Sequence, residues 1–260
     1  MSDVAFRQLV YATKIVDAET IFFNQVGEWD AKRTTLLVQL ADLPVLVAAH
    51  QARRTQPYVG DSRITLVDSV PGVRLANACE AAANCLYSAA EIAANFANKA
   101  SRGAMPASFN ALRKKCDRDR TSEVAESLGD LQWYRKVREL RTEWAHFSSV
   151  FIGGGPNDEV ILSARAYRRS SDKREFSSPN FNCTADEFRG WIHAALTTLD
   201  VFAGYLLSRW VLPTFQLDQT FVTPKLDGSG WPIFKSDFRL ESEKISIREY
   251  LRRGGIDDGT

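Results

Sequence analysis

The chain has 260 residues, of which 45% are hydrophobic and 25% are charged, the balance of an ordinary globular protein of one or two domains. This composition excludes a disordered chain, a collagen and a coiled-coil rod, and the length allows a core without disulfide or metal staples. Because 33 basic residues nearly cancel 32 acidic ones, the net charge of +1 gives no global indication of nucleic-acid binding.

Hydrophobic periodicity predicts a mainly α-helical chain in which the helices pack as a bundle. The predicted helices cover residues 4–26, 34–54, 73–100, 108–116, 131–149 and 184–211. Pro44 is expected to kink or split the second of these helices. The helix at 73–100 is rich in alanine, and its small side chains favour close packing against a neighbouring helix.

Capping patterns predict where three helices begin. Asp130 is a good N-cap for the helix at 131–149, and a capping box at residues 184–187 opens the next long helix. A second box, Ser246 with Glu249, precedes a short helix over residues 247–253. We therefore expect these helix starts to be fixed by local sequence.

Short extended segments are predicted at residues 64–67 and in a small hairpin over 159–166 and 174–176, joined by a basic segment at 167–169. The glycine run at 153–155 lacks the lysine of a phosphate-binding loop and is predicted to be a turn. A basic cluster in this region is interpreted as a solvated loop, with RNA binding as the alternative. Its members are Arg165, Arg168, Arg169, Lys173 and Arg174.

These features divide the chain into three regions. Residues 1–68 are predicted to form an N-terminal helical segment packed on the bundle, and residues 69–212 the helical domain itself. Residues 213–260 are predicted to be a small extension of irregular and β structure.

The cysteine and histidine content argues against several kinds of site. The four cysteines form no Cys-x-x-Cys pair and none lies at zinc-finger spacing from a histidine, so we expect buried or free thiols in a reducing compartment. With only three histidines, no metal or cofactor is assigned. His50 is expected to flank a helix end, and His193 is interpreted as a structural histidine rather than a second catalytic group.

No membrane association is predicted. The N-terminal residues lack the basic and apolar regions of a secretory signal, which predicts a cytoplasmic protein. A membrane-spanning helix needs about 20 mostly apolar residues. Residues 36–49 are too short and residues 191–212 carry three ionisable side chains, so both segments are predicted to be core helices.

The helix predicted over 131–149 carries the most informative pattern. Arg141 lies at the edge of its apolar stripe, and His146 lies about 140° around the helix on the polar side. The stripe, with spacings of four, three, four and three, consists of Trp133, Val137, Leu140, Trp144 and Phe147. The helix is therefore expected to bury one side and to display cations and one imidazole on the other.

This segment resembles the HEPN family, the higher eukaryote and prokaryote nucleotide-binding domains. The family signature is an arginine and a histidine separated by four to six residues near the end of a helix in an all-α bundle. Arg141 and His146 match it with four residues between them. The resemblance covers about residues 71–212 and implies an HEPN-like helical bundle.

The resemblance implies a metal-independent endoribonuclease of the toxin or phage-defence type, acting as a homodimer in which two motifs face one another. His146 is then expected to transfer protons during attack of a 2′-hydroxyl on phosphorus, and Arg141 to hold the phosphate. It also implies an RNA substrate, no cofactor, and a controlling partner such as an antitoxin or an activating effector.

Local charge adds candidates for RNA binding. Residues 102–141 contain ten basic and six acidic side chains, an excess that favours contact with an RNA backbone. Arg135 and Arg138 are assigned to that contact, and Tyr134 is assigned to stacking on a base. The alternative for the two arginines is a solvated face paired with nearby glutamates.

Two alternatives to the catalytic interpretation stay open. Arg141 and His146 also fit a surface arginine and a histidine that stabilises the helix C-terminus through the dipole. Thr142, directly after the arginine, keeps open a non-catalytic HEPN module that binds a nucleotide or a protein partner. A structural helical adaptor is the third and weakest hypothesis.

Overall fold

The computed structural model describes residues 21–52, 70–146, 151–154, 159–169, 174–211, 213, 218–225, 227 and 233–253. These residues form a mainly helical architecture with two small antiparallel sheets, which confirms the predicted mainly α class. The helices described are α1 (Ile21–Ala52), α2 (Val70–Ala100), α3 (Phe109–Arg118), α4 (Glu123–Leu128), α5 (Gln132–His146), α6 (Ala185–Leu206) and α7 (Ile247–Arg253). A π-helical turn, Leu207–Val211, follows α6.

Helix α1 is one continuous helix that includes Pro44, so Pro44 does not split it, whereas the sequence predicted two helices with a gap before residue 34. That prediction is wrong because Trp29 and Leu36 are buried against α2 and α6. Burial of such side chains outweighs the cost of about 1 kcal/mol for Gly27 inside a helix. Residues 4–20 of the first predicted helix and the extended segment at 64–67 lie outside the described residues.

The hydropathy of α1 also meets a simple test for a membrane span. A window within Gly27–Ala52 has a mean hydropathy of 1.3, and 17% of that window is buried; no other described helix passes the same test. Core helices of globular proteins pass it too. Leu36, Leu40 and Leu43 of this helix are buried in the bundle, whereas Val38 and Val45 are exposed.

Helix α2 forms the centre of the bundle and contacts α1, α3, α5 and α6. Its buried face consists largely of alanine, and Ala82, Ala83, Ala89 and Ala90 have no exposed surface. Side chains this small let neighbouring helix backbones approach closely. The predicted alanine-lined packing is therefore confirmed.

Replacing Ala82 with leucine should lower the free energy of unfolding by about 1–3 kcal/mol, because a close-packed interface has no space for three more carbon atoms. Ala81 is exposed on the next position of the same helix, so Ala81→Leu is the matched control, expected within about 0.5 kcal/mol of the wild type. Urea unfolding of both variants measures the difference. Equal losses in the two variants would contradict this account of the interface.

The first sheet corrects two predictions about the region after α5. Its strands, β1 (Phe151–Gly154), β2 (Val160–Arg169) and β3 (Arg174–Thr184), lie in that order and are antiparallel. Gly153 and Gly154 pair with Ile161 and Val160, so the glycine run enters a strand and is not only a turn. Pairing with a strong strand supplies hydrogen bonds that override the weak strand preference of glycine.

The basic cluster in this region was predicted to be a solvated loop, but its described members lie in strands. Arg165, Arg168 and Arg169 lie in β2, and Arg174 begins β3. Lys173 lies outside the described residues. The hairpin is longer than predicted because β2 and β3 continue pairing out to Arg169 and Arg174, across two irregularities in register.

The C-terminal extension packs onto the bundle rather than standing apart from it. Strands β4 (Thr220–Pro224) and β5 (Ser242–Ser246) pair antiparallel, and β5 leads directly into α7. Ile247, the first residue of α7, is completely buried in the same core as Trp29 and Leu199. The described extension and the helices thus share one hydrophobic core.

Candidate functional site

Helix α5 is fixed at its start by the predicted cap and, as far as Leu140, by the predicted stripe; the side chain of Trp144 lies outside the described part of the chain. The carboxylate of Asp130 accepts a hydrogen bond of 2.9 Å from the backbone N–H of Gln132. Trp133, Val137 and Leu140 are buried in the core, as the periodicity predicts. The helix ends at His146, and residues 147–149 of the prediction lie outside the described part of the chain.

Arg141 is exposed near the end of α5, on nearly the same face as Tyr134 seven residues earlier, and its guanidinium lies over a tyrosine ring of α2. The guanidinium carbon is 4.4 Å from the centroid of the Tyr87 ring, within the distance of a cation–π contact. An aromatic ring attracts a cation placed over its face, and guanidinium N–H groups that do not point at the ring can still donate hydrogen bonds. Arg141 thus has a defined neighbour and an exposed guanidinium that can meet an anion. The backbone of His146 follows five residues later, and its side chain lies outside the described part.

Tyr134 is a core residue, so its predicted role in stacking on an RNA base is wrong. The ring has no exposed surface and is covered by Phe109, Trp133 and Tyr87, with centroid distances of 4.6, 5.9 and 5.8 Å. Burial, and a hydrogen bond to Glu91, raise the pKa of Tyr134 well above its usual value. The hydroxyl therefore remains a protonated donor at neutral pH.

Glu91 connects α2 to both α3 and α5. One carboxylate oxygen accepts a hydrogen bond of 2.8 Å from the Tyr134 hydroxyl, and the other accepts one of 3.2 Å from the backbone N–H of Phe109. The sequence analysis missed both Tyr87 and Glu91. The available signal was a tyrosine and a glutamate four residues apart, and hence on one face, in a helix otherwise rich in alanine.

Arg135 and Arg138 are exposed and, with Arg141, place a cation at every third position of α5. Arg135 forms an ion pair of 3.3 Å with Asp117, although its side chain remains 60% exposed. Arg138 donates a hydrogen bond of 3.2 Å to the side chain of Asn110. These contacts reach residues of α3.

Two clefts flank the N-terminal part of α5, with volumes of about 510 and 560 Å³. Asp130, Gln132 and Arg135 line both of them. In the larger cleft the ammonium of Lys136 lies 5.1 Å from the centroid of the Trp191 ring. The surface beside Arg135, at the start of α5, is therefore concave and carries both charges and an aromatic ring.

The remaining candidates do not join this cluster. His193 is exposed on α6, and His50 lies in the last turn of α1. All four cysteines are free thiols, as predicted, and burial raises the pKa of Cys79 and of Cys183 to about 12, so neither is a nucleophile at neutral pH. Within the described ranges, no three His, Cys, Asp or Glu side chains form a group able to hold a metal ion.

Comparison of the chain with models of known protein families, with curated proteins and with solved structures gave no match in any of the three. The assignment of a function consequently depends on the arrangement of the residues themselves.

Proposed function

We propose that the protein is a metal-independent endoribonuclease of the HEPN type, cytoplasmic, in which Arg141 and His146 act on RNA. The observation that carries the proposal is the placement of Arg141, whose exposed guanidinium is held on the Tyr87 ring near the end of α5. His146 follows about 7.5 Å further along the helix axis. The family signature has an arginine and a histidine at this spacing, and the resemblance implies that they serve the phosphate and the proton transfers of one reaction.

The chemistry requires no group beyond these two residue types. The 2′-hydroxyl of RNA loses a proton as its oxygen attacks the adjacent phosphorus, and the departing 5′ oxygen gains a proton. Histidine titrates near neutral pH and suits both transfers, whereas arginine stays charged and stabilises the negative charge that develops on the phosphate. The products are a 2′,3′-cyclic phosphate and a 5′-hydroxyl.

Binding of the RNA strand is proposed to follow the row of cations on α5. Arg138 and Arg135 precede Arg141 at steps of three residues, over about a third of the helix circumference, and are exposed enough to meet phosphates. Asp117 offsets part of the charge of Arg135. The adjacent clefts offer a concave path for a strand, with Trp191 replacing Tyr134 as the aromatic residue that lines it.

A homodimer completes the proposed site. One His146 from each protomer then supplies a base and an acid in the same cleft, and the family resemblance implies this two-fold arrangement. An antitoxin or an activating effector is proposed to control the enzyme, because an unrestrained ribonuclease harms its host.

Light scattering of the purified protein should give the mass of two chains, and a monomer at the concentrations that cleave RNA would contradict the composite site.

Replacing Arg141 with alanine should reduce RNA cleavage by about 10²- to 10³-fold, the loss expected on removing a donor that stabilises the transition state. Purified wild type is incubated with mixed RNA in EDTA, and its products should carry cyclic phosphate and 5′-hydroxyl ends. Arg189→Ala, which removes an exposed arginine from α6, is the matched control and should cleave at the wild-type rate.

Equal cleavage by the wild type and Arg141→Ala would show that the motif match arose by chance. RNA or nucleotide binding without any cleavage by the wild type would instead support the non-catalytic HEPN alternative.

A further inference from the structure

Tyr87 of α2 contacts two residues of α5, the proposed catalytic Arg141 and the buried Tyr134. Its ring lies 4.4 Å from the guanidinium carbon of Arg141. It also stacks on Tyr134, with ring centroids 5.8 Å apart and planes inclined by 16°. Tyr134 and Arg141 are both on α5, whereas Tyr87 comes from α2, so the contact joins two helices.

The spacing along α5 explains why one ring reaches both side chains. Residues seven apart on a helix lie on nearly the same face and about 10.5 Å apart along the axis. The ring of Tyr87 contacts the side chains of both Tyr134 and Arg141, so one ring bridges this interval.

Tyr134, on which the Tyr87 ring stacks, is itself held by contacts with other helices. Tyr134 is completely buried, and its hydroxyl is held by Glu91 at 2.8 Å. Glu91 also accepts the backbone N–H of Phe109 at the start of α3. Three helices thus fix the position of Tyr134, and Tyr134 fixes one neighbour of the Tyr87 ring.

An arginine side chain has several rotatable bonds, and an unsupported guanidinium samples many orientations. A ring stacked on its face restricts the plane of the group and leaves the N–H edges unobstructed. We propose that Tyr87 is a positioning residue of the ribonuclease, because its ring sets the plane of the Arg141 guanidinium before RNA binds. This inference rests on the proposed function and adds to it a residue that fixes the orientation of the phosphate-binding group.

The test compares Tyr87→Leu, which removes the ring, with Tyr87→Phe, which keeps it. Tyr87→Leu should lower kcat by about 10- to 100-fold with a smaller change in KM, since misplacing a group by about 1 Å can cost 10²-fold. Tyr87→Phe should cleave within a few-fold of the wild type. Tyr205→Leu removes another partly buried tyrosine, on α6 away from Arg141, and should leave kcat unchanged.

A spectroscopic measurement on the wild type keeps the inference testable if Tyr87→Leu fails to fold. The stacked ring should shift the Arg141 Hε resonance upfield in an ¹⁵N-correlated NMR spectrum, assigned by its loss in Arg141→Lys. Tyr87→Phe should preserve that shift. A wild-type resonance at the position of an unstacked arginine would overturn the inference.

The outcomes separate this inference from the function on which it rests. If Arg141→Ala is inactive while Tyr87→Leu cleaves at the wild-type rate, positioning by Tyr87 is wrong and the ribonuclease assignment stands. If Arg141→Ala also cleaves at the wild-type rate, the proposed function fails and the inference fails with it.

Discussion

Replacing His146 with alanine should lower the single-turnover rate of RNA cleavage by about 10²- to 10⁴-fold, the range that a positioned general acid or base contributes. In the proposed reaction, one imidazole accepts the proton of the 2′-hydroxyl and another protonates the 5′ oxygen. The substitution removes both groups from a homodimer, because each protomer supplies one copy. The loss should therefore equal or exceed that of Arg141→Ala.

The matched control for this prediction is His193→Ala. His193 is exposed on α6 and takes no part in the proposed site, so its removal should leave the rate unchanged. Quenched-flow cleavage of a short RNA in EDTA measures both variants. The wild-type rate should also pass through a maximum near neutral pH, because a histidine base and a histidine acid require opposite protonation states.

A His146→Ala enzyme that cleaves at the wild-type rate would contradict the catalytic role of the histidine. If Arg141→Ala is inactive in the same assay, proton transfer must then be assigned to water or to another side chain. If both variants cleave normally, the interpretation of α5 as a catalytic helix is wrong.

The parts of the fold that the sequence predicted correctly depend on residues close together in the chain. The Thr184 hydroxyl accepts the N–H of Glu187 at 3.1 Å, and the Glu187 carboxylate accepts the N–H of Thr184 at 2.8 Å. The Ser246 hydroxyl likewise accepts the N–H of Glu249 at 3.1 Å. Partners three residues apart can be identified from sequence alone, and both predicted capping sites precede helices at the predicted positions.

The candidate site was predictable only for the residues on α5. A single helix indicates which stripe is buried, but the width of the buried face depends on how many neighbours pack against it. Tyr134 lies 100° from Trp133 and was expected to face outward. Helices α2 and α3 enclose α5 from two sides and bury Tyr134 completely, a result of contacts with Phe109 and Glu91 that are distant in sequence.

The same limit explains the strand at Gly153 and Gly154. Glycine has little preference for strand, and a run of glycines next to proline is typical of a turn. The strand forms because Val160 and Ile161 in β2 offer a paired backbone. Strand pairing depends on a second segment, so it cannot be predicted from the composition of one segment alone.

Replacing Asp200 with alanine should lower the free energy of unfolding by about 3 kcal/mol, the low end of the range for breaking a buried ion pair. The Nε of Arg33 on α1 donates to both carboxylate oxygens of Asp200 on α6, at 3.0 and 2.9 Å. The Arg33 side chain is 4% exposed and that of Asp200 is 23% exposed. The low end applies because the partly exposed carboxylate keeps some of its hydration.

The loss arises from the buried charge that the substitution leaves behind. Without Asp200, the buried guanidinium of Arg33 loses the carboxylate that its Nε contacts. Asp218→Ala is the matched control, since Asp218 pairs with Arg248 at 3.4 Å but is 92% exposed. An exposed ion pair contributes about 0–1 kcal/mol, so this variant should unfold close to the wild-type urea midpoint.

A double variant separates an electrostatic cost from a packing cost. Arg33→Met with Asp200→Leu replaces both charges by apolar side chains of similar size, an exchange that is often neutral or stabilising for buried pairs. Its urea midpoint should return to that of the wild type or exceed it. If the double variant is as unstable as Asp200→Ala, the destabilisation comes from lost packing between α1 and α6. In that case the geometry of the ion pair sets how α1 and α6 pack, and apolar side chains of similar size do not reproduce that packing.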